Sequence, residues 1–259
     1  MKASGPFDSC VSVYKTVSIS SEMSTVMAVV DAEDVVVASD GLSVDDDGKT
    51  VNSKSKKSCA LNRRLCLAGA GKSDHMKAIM CALDPRCRDL DEDEPDEDWE
   101  SRRWTLRMGY QETRDTIHNR FADIVSTVLR EAKAASDAGQ STEGMGLSGF
   151  LLCGRNRGPV VAYWGTKLQG GRIVPDSGEV RDKDGITPIV MGIPPTDPIY
   201  GEVAERAISG GSCLGAEDRL VECIRLAVDS GAGFWVNKNV LTRRLTERFN
   251  PRWNLQRAR

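Results

Sequence analysis

Short apolar runs dominate the first seventy positions, and apolar residues at helical spacing follow. Val26–Val30 and Val35–Ala38 flank the polar stretch Asp31-Ala32-Glu33-Asp34, which predicts a hairpin. Ser58–Leu61 and Leu65–Ala68 predict a second hairpin through Asn62-Arg63-Arg64. Between them, residues 43–55 are polar, and Asp45-Asp46-Asp47-Gly48 is a turn signal. Met76, Ile79, Met80 and Leu83 recur on one helical face, so a helix is expected from Ser73 to just before Pro85. Ile117, Phe121, Ile124, Val125, Val128 and Leu129 predict a long helix over 110–135. Phe150–Cys153 and Val160–Trp164 predict a third hairpin, with further strands at Ile173-Val174 and Thr187–Met191. Two more helical stripes follow: Tyr200, Val203, Ala204, Ala207 and Ile208, then Leu220, Val221, Ile224 and Val228. Phe234–Val236 reads as a last strand, and Val240, Leu241 and Leu245 as a closing helix.

Runs of strands alternating with runs of helices argue for an α+β layered fold. Two antiparallel sheets between helix layers would use every apolar face named. No repeat or internal linker interrupts 23–259, so one domain is expected there. Residues 84–104 are expected to be an acidic surface insertion, 137–146 a Gly/Ser-rich loop, and 243–259 a basic tail with six arginines and one glutamate. That tail is expected to dock against another subunit rather than to bind nucleic acid. No apolar stretch nears the roughly 18–20 residues that cross a bilayer. Residues 1–22 lack the apolar core of a secretion signal. The expectation is a cytoplasmic protein with no membrane contact. The eight cysteines make no CxxC pair and read as small buried hydrophobes. With only His75 and His118, a histidine-rich zinc site is not expected, nor is a cofactor.

The chemistry-bearing pattern is a trio. Ser24 opens the first strand, Asp40 closes the second, and Lys56 precedes the third, at two equal intervals of sixteen residues. A serine hydroxyl is a poor nucleophile until a base takes its proton. If Ser24 became the first residue, its own amine, with a pKa of about 7.7–8.0, could be that base. A nearby ammonium favours the neutral amine and stabilises an alkoxide, and a carboxylate balances that ammonium. Backbone N–H groups at the Gly69–Gly71 turn could hold an oxyanion. Lys54 and Lys57 compete with Lys56 for the cation, and Thr25 competes with Ser24. A shift of one residue turns a strand side chain to the opposite face, which disfavours Thr25.

Ser-Thr-Val-Met-Ala-Val-Val, Val-Val-Val-Ala-Ser-Asp-Gly, Ser-Lys-Lys and Leu-Ala-Gly-Ala-Gly together resemble the start of proteasome β-type subunits, and in particular the bacterial two-component peptidase related to the proteasome. That family's Thr-Thr start, Asp-Gly and catalytic lysine align with Ser24-Thr25, Asp40-Gly41 and Lys56 without a gap. The resemblance is strong over 24–80 and thinner over 148–245. It implies a four-layer αββα sandwich, the N-terminal nucleophile hydrolase fold. It further implies hydrolysis of peptides or unfolded proteins, a homo-oligomeric ring, and a possible ATP-dependent unfoldase partner. Ser24 would be nucleophile and base, Lys56 the cation, Asp40 its partner, and the Gly71 backbone an oxyanion donor. Two departures stand out. Serine replaces the family's threonine, and Gly192-Ile193-Pro194 stands where many members have a Gly-Ser-Gly turn whose serine supports the terminal amine. Residues 1–22 are read as a propeptide or a mis-assigned start.

Rival readings are weaker. Gly71-Lys72-Ser73 suggests a phosphate-binding loop, but position 66 is Cys where that motif has Gly, and the hairpin context is wrong. Ser53-Lys54-Ser55-Lys56 fits a SxxK pattern in a polar loop with no helix signal. The main alternatives are an inactive ring subunit and an amidase for non-peptide substrates on the same fold.

Overall fold

The computed structural model describes residues 25–41, 43–44, 50–52, 57–84, 106–140, 148–169, 172–181, 186–193, 197–230, 239–245 and 254–257. The expected acidic insertion over 84–104, the strand at Phe234–Val236, and residues 1–24 lie almost wholly outside this set; only Asp84 is within it.

Strands β1 (Val26–Val30) and β2 (Val35–Asp40) form the first predicted hairpin. A short pair follows, β3 (Ser43–Val44) with β4 (Thr50–Asn52). Then come β5 (Ser58–Asn62) and β6 (Leu65–Ala70), the second hairpin, and helix α1 (Ser73–Leu83). Helix α2 spans Tyr110–Asp137. Strands β7 (Gly149–Arg155), β8 (Pro159–Gln169) and β9 (Arg172–Val180) make an antiparallel meander, and β10 covers Thr187–Met191. Helices α3 (Ile199–Ile208) and α4 (Ala216–Asp229) precede β11 (Asn239–Leu245) and β12 (Asn254–Arg257).

Two five-stranded antiparallel sheets result, ordered β10-β1-β2-β11-β12 and β5-β6-β7-β8-β9. Alternation of side chains along each strand assigns the layers. In the first sheet Met27, Val29, Val36, Ala38, Val190 and Val240 pack on α3 and α4. Their neighbours Val26, Ala28, Val30, Val35, Val37, Ile189 and Met191 face the second sheet, against Cys66, Ala68, Leu151, Cys153 and Val161. The second sheet's opposite face, with Leu65, Leu67, Phe150, Leu152 and Trp164, packs on α1 and α2. Phe121 of α2 meets Phe150 of β7 edge to face, with ring centroids 6.1 Å apart. The chain is an α+β, four-layer αββα sandwich. Strands buried on both faces explain why β1 and β2 read as continuous apolar runs rather than alternating ones.

The expected closing helix is corrected. Residues 239–245 form a strand inserted between β2 and β12. Val240, Leu241 and Leu245 fit a helical stripe, but the strand register also buries Thr242 and Arg243, whose polarity hid it. Arg243 is 1% exposed, so it belongs to the interior and not to a basic tail. Its guanidinium lies beside the thiols of Cys66 and Cys153; burial pushes both thiols up, and the positive charge offsets only part of that. Arg244, on the other face, bonds Glu217 of α4 at 2.8 Å.

Placing Leu245 between the sheets predicts that Leu245→Ala destabilises the protein by about 2–5 kcal/mol in urea unfolding. A loss below about 0.5 kcal/mol, as for a surface position, would contradict the strand.

Candidate active site

Ladder registers bring several chain ends together. β1 begins where β2 ends, because Val26 is opposite Ser39. β10 ends there too, since Met191 is opposite Val26, and β11 begins there, with Val240 opposite Asp40. In the second sheet β5 begins, β6 ends and β7 begins at one edge: Ser58 is opposite Ala68, and Ala70 opposite Gly149. The two edges meet. Gly149 leaves only 3.2 Å between a would-be Cβ and the Met191 sulfur of the facing sheet.

Asp40 joins these ends. Its backbone N–H donates to the Thr25 carbonyl at 3.1 Å, and its Oδ1 accepts the Thr25 N–H at 2.9 Å. Across the sandwich Lys57 Nζ donates to Oδ2 at 2.9 Å and to Oδ1 at 3.1 Å. Asp40 is fully buried and the Lys57 side chain 11% exposed. A carboxylate so placed requires charge-assisted partners, because desolvating it alone costs several kcal/mol. The Lys57 carbonyl also accepts the Gly69 N–H at 2.9 Å, which fixes the lysine backbone to β6.

Of the sequence-derived trio, Asp40 sits at the convergence. Ser24 and Lys56 lie outside the described residues. Lys57, the competing lysine, is the one seen paired with Asp40. Its position is understandable: it is the residue immediately before β5, whereas the spacing argument counted through the polar segment, where the β3–β4 pair carries a register irregularity. Thr25 is fully buried, and its hydroxyl has no hydrogen-bond partner. Thr25 meets Asp40 through its backbone N–H and carbonyl. Gly71 follows β6, is exposed, and has φ +117°, a conformation that favours glycine. Gly192, immediately after β10, has φ +90°, and the next side chain, Ile193, is buried against α3 and α4. No hydroxyl is offered there.

Sequence reasoning missed Ser148 and His75. Ser148 Oγ accepts the Lys72 N–H at 2.9 Å and lies 2.9 Å from His75 Nδ1. Burial, and then the Lys72 charge, hold His75 below the ordinary histidine value, with Asp74 and Glu131 pulling the other way. No signal in the chain joins residues 75 and 148, which meet only through the β6–β7 ladder. Among the described residues no group of His, Cys, Asp and Glu could hold a metal ion, and no helix is long and apolar enough to cross a membrane.

No protein-family model matches this chain, and no curated protein matches it. Among solved structures it is similar to the crystal structure of eukaryotic HslV from Trypanosoma brucei. The TM-score is 0.46 and the identity 13%, over 86% of this chain and 99% of that one. A likeness at this level assigns no role to any residue.

The buried pair predicts that Lys57→Met, which strands the Asp40 carboxylate, costs about 3–5 kcal/mol in thermal or urea unfolding. Adding Asp40→Asn to Lys57→Met should recover a measurable part of that loss, because the uncompensated charge is gone. Equal losses in the single and double variants would contradict the pair.

Proposed function

We propose that this chain is a proteasome-like N-terminal nucleophile hydrolase that cuts peptide bonds, with Ser24 as nucleophile once its amine is free. The observation that carries the reading is Asp40: a fully buried carboxylate, bonded to the Thr25 N–H and paired with Lys57, at the point where β1 begins. Thr25, which bonds this couple, follows Ser24 directly in the sequence, which supports the reading. The resemblance of residues 24–80 to proteasome β-type subunits supports it, as does the four-layer sandwich. The cation role, first given to Lys56, goes in this reading to Lys57.

The Ser24 amine takes the hydroxyl proton as Oγ attacks the peptide carbonyl carbon. The Lys57 ammonium lowers the cost of the developing alkoxide, and Asp40 keeps that lysine charged. The Gly71 N–H donates to the tetrahedral oxyanion. The new ammonium passes its proton to the leaving amine as the C–N bond breaks. Water, deprotonated by the same amine, then cleaves the acyl ester and restores Ser24. Assembly into a ring in the cytoplasm, with or without an ATP-dependent unfoldase, belongs to the same proposal.

An inactive ring subunit is the second reading. Ile193 favours it, because it gives the terminal amine no hydroxyl support.

Peptide hydrolysis and labelling by an electrophilic peptide probe, read by mass spectrometry, separate the two. The proposal expects a label on Ser24, and loss of hydrolysis by about 10³-fold or more in Ser24→Ala. For Lys57→Ala it expects a loss on the order of 10²-fold or more. A wild-type protein with a free Ser24 amine that neither hydrolyses peptides nor takes the label would establish the inactive subunit.

A further inference from the structure

We propose that Ser148 and His75 are positioning residues that hold the Gly71 turn in its oxyanion-binding shape, and that the hold is released when His75 gains a proton. The inference rests on the proposed hydrolase reading for its functional consequence, but the latch itself is a matter of geometry.

Gly71 links β6 to α1. Its φ of +117° lies in the region that favours glycine, and it turns the chain from the end of β6 into the helix. Ser148, the residue before β7, meets this turn from outside the segment. A Cβ on Gly71 would lie 2.7 Å from the Ser148 Cα, so the two backbones are in close contact. Ser148 Oγ accepts the Lys72 N–H, the N-cap amide of α1, and the Lys72 side chain makes no cap bond of its own. Ser148 thus acts as a cap borrowed from another strand.

That hydroxyl must be aimed. Ser148 is 3% exposed, and solvent cannot orient it. His75 Nδ1 is 2.9 Å away on the first turn of α1, and in the proposed latch Ser148 Oγ, already accepting from Lys72, donates its own proton to it. The arrangement requires a neutral imidazole with its proton on Nε2. The groups facing His75 are Lys72 and Asp74 from α1 and Glu131 from α2, and its affinity for a proton is lowered chiefly by burial and by Lys72. Protonation turns Nδ1 from acceptor to donor. Ser148 Oγ would then face two donors, Lys72 N–H and His75 Nδ1–H, and its own proton would have to turn away from His75. The aim of the hydroxyl is lost, and the Gly71–Lys72 turn loosens. The sign follows: the latch is intact above the native His75 pKa and fails as pH falls through it.

The test uses the protein beginning at Ser24, with its amine free, and two readouts. Hydrogen exchange of a peptide covering 69–76 needs no activity. The Lys72 amide should exchange at least tenfold faster in Ser148→Ala and in His75→Ala at pH 7.5. In His75→Asn the side-chain oxygen can replace Nδ1 as acceptor, and exchange should stay close to wild type. The second readout is kinetic. Ser148→Ala should lower kcat by roughly ten- to a hundredfold, with KM changed less than about threefold. His75→Asn should keep most of kcat and make the acidic limb less steep below about pH 6.5, the ordinary histidine value, leaving only the limb set by the Ser24 amine. Unchanged exchange in both alanine variants overturns the latch. Changed exchange with full kcat in Ser148→Ala overturns its role in positioning. Faster exchange in the alanine variants, where the wild-type protein has no activity, upholds the latch and sinks only the hydrolase reading.

Discussion

A carboxylate with no solvent around it dictates the rest of this site. Asp40 cannot remain charged in the interior unless donors reach it from more than one side. The Thr25 N–H comes from the neighbouring strand and the Lys57 ammonium from the opposite sheet. Meeting both demands forces the start of β1, the end of β2 and the start of β5 to converge. The same pair therefore ties together the two sheets of the sandwich and gathers their chemistry at one edge.

Much of this was legible in the chain. Continuous valine runs predicted β1 and β2 because both faces of those strands are covered, by helices on one side and by the second sheet on the other. Helices α1 to α4 were legible because each buries a single stripe and exposes the rest. Strand β11 was not, because a central strand that buries Thr242 and Arg243 does not look apolar. Its correct reading needs the partner strands, which are distant in sequence.

The place of the carboxylate was legible, and that of its lysine partner was ambiguous. Asp40 closes a strong strand, so its place followed from local pattern. The lysine did not, since equal spacing assumes that every intervening residue advances the chain evenly. The polar segment between β2 and β5 contains a short hairpin with a register irregularity, and one residue there decides between Lys56 and Lys57. Ser148 and His75 were invisible for a different reason. Nothing about either residue is unusual alone, and their meaning arises where β7 is laid beside β6. Gly71 was singled out as a donor, and the structure sets Ser148 directly against it.

The central claim is that the Asp40–Lys57 couple serves an amine at residue 24. It is tested most directly by comparing two forms of the protein in peptide hydrolysis, one beginning at Ser24 and one retaining a residue ahead of it. The account predicts turnover only when the amine is free, with a rate that rises through about pH 7–8 as that amine loses its proton. Equal turnover by both forms would show that the Ser24 amine is not the base, and that the buried pair serves the fold alone.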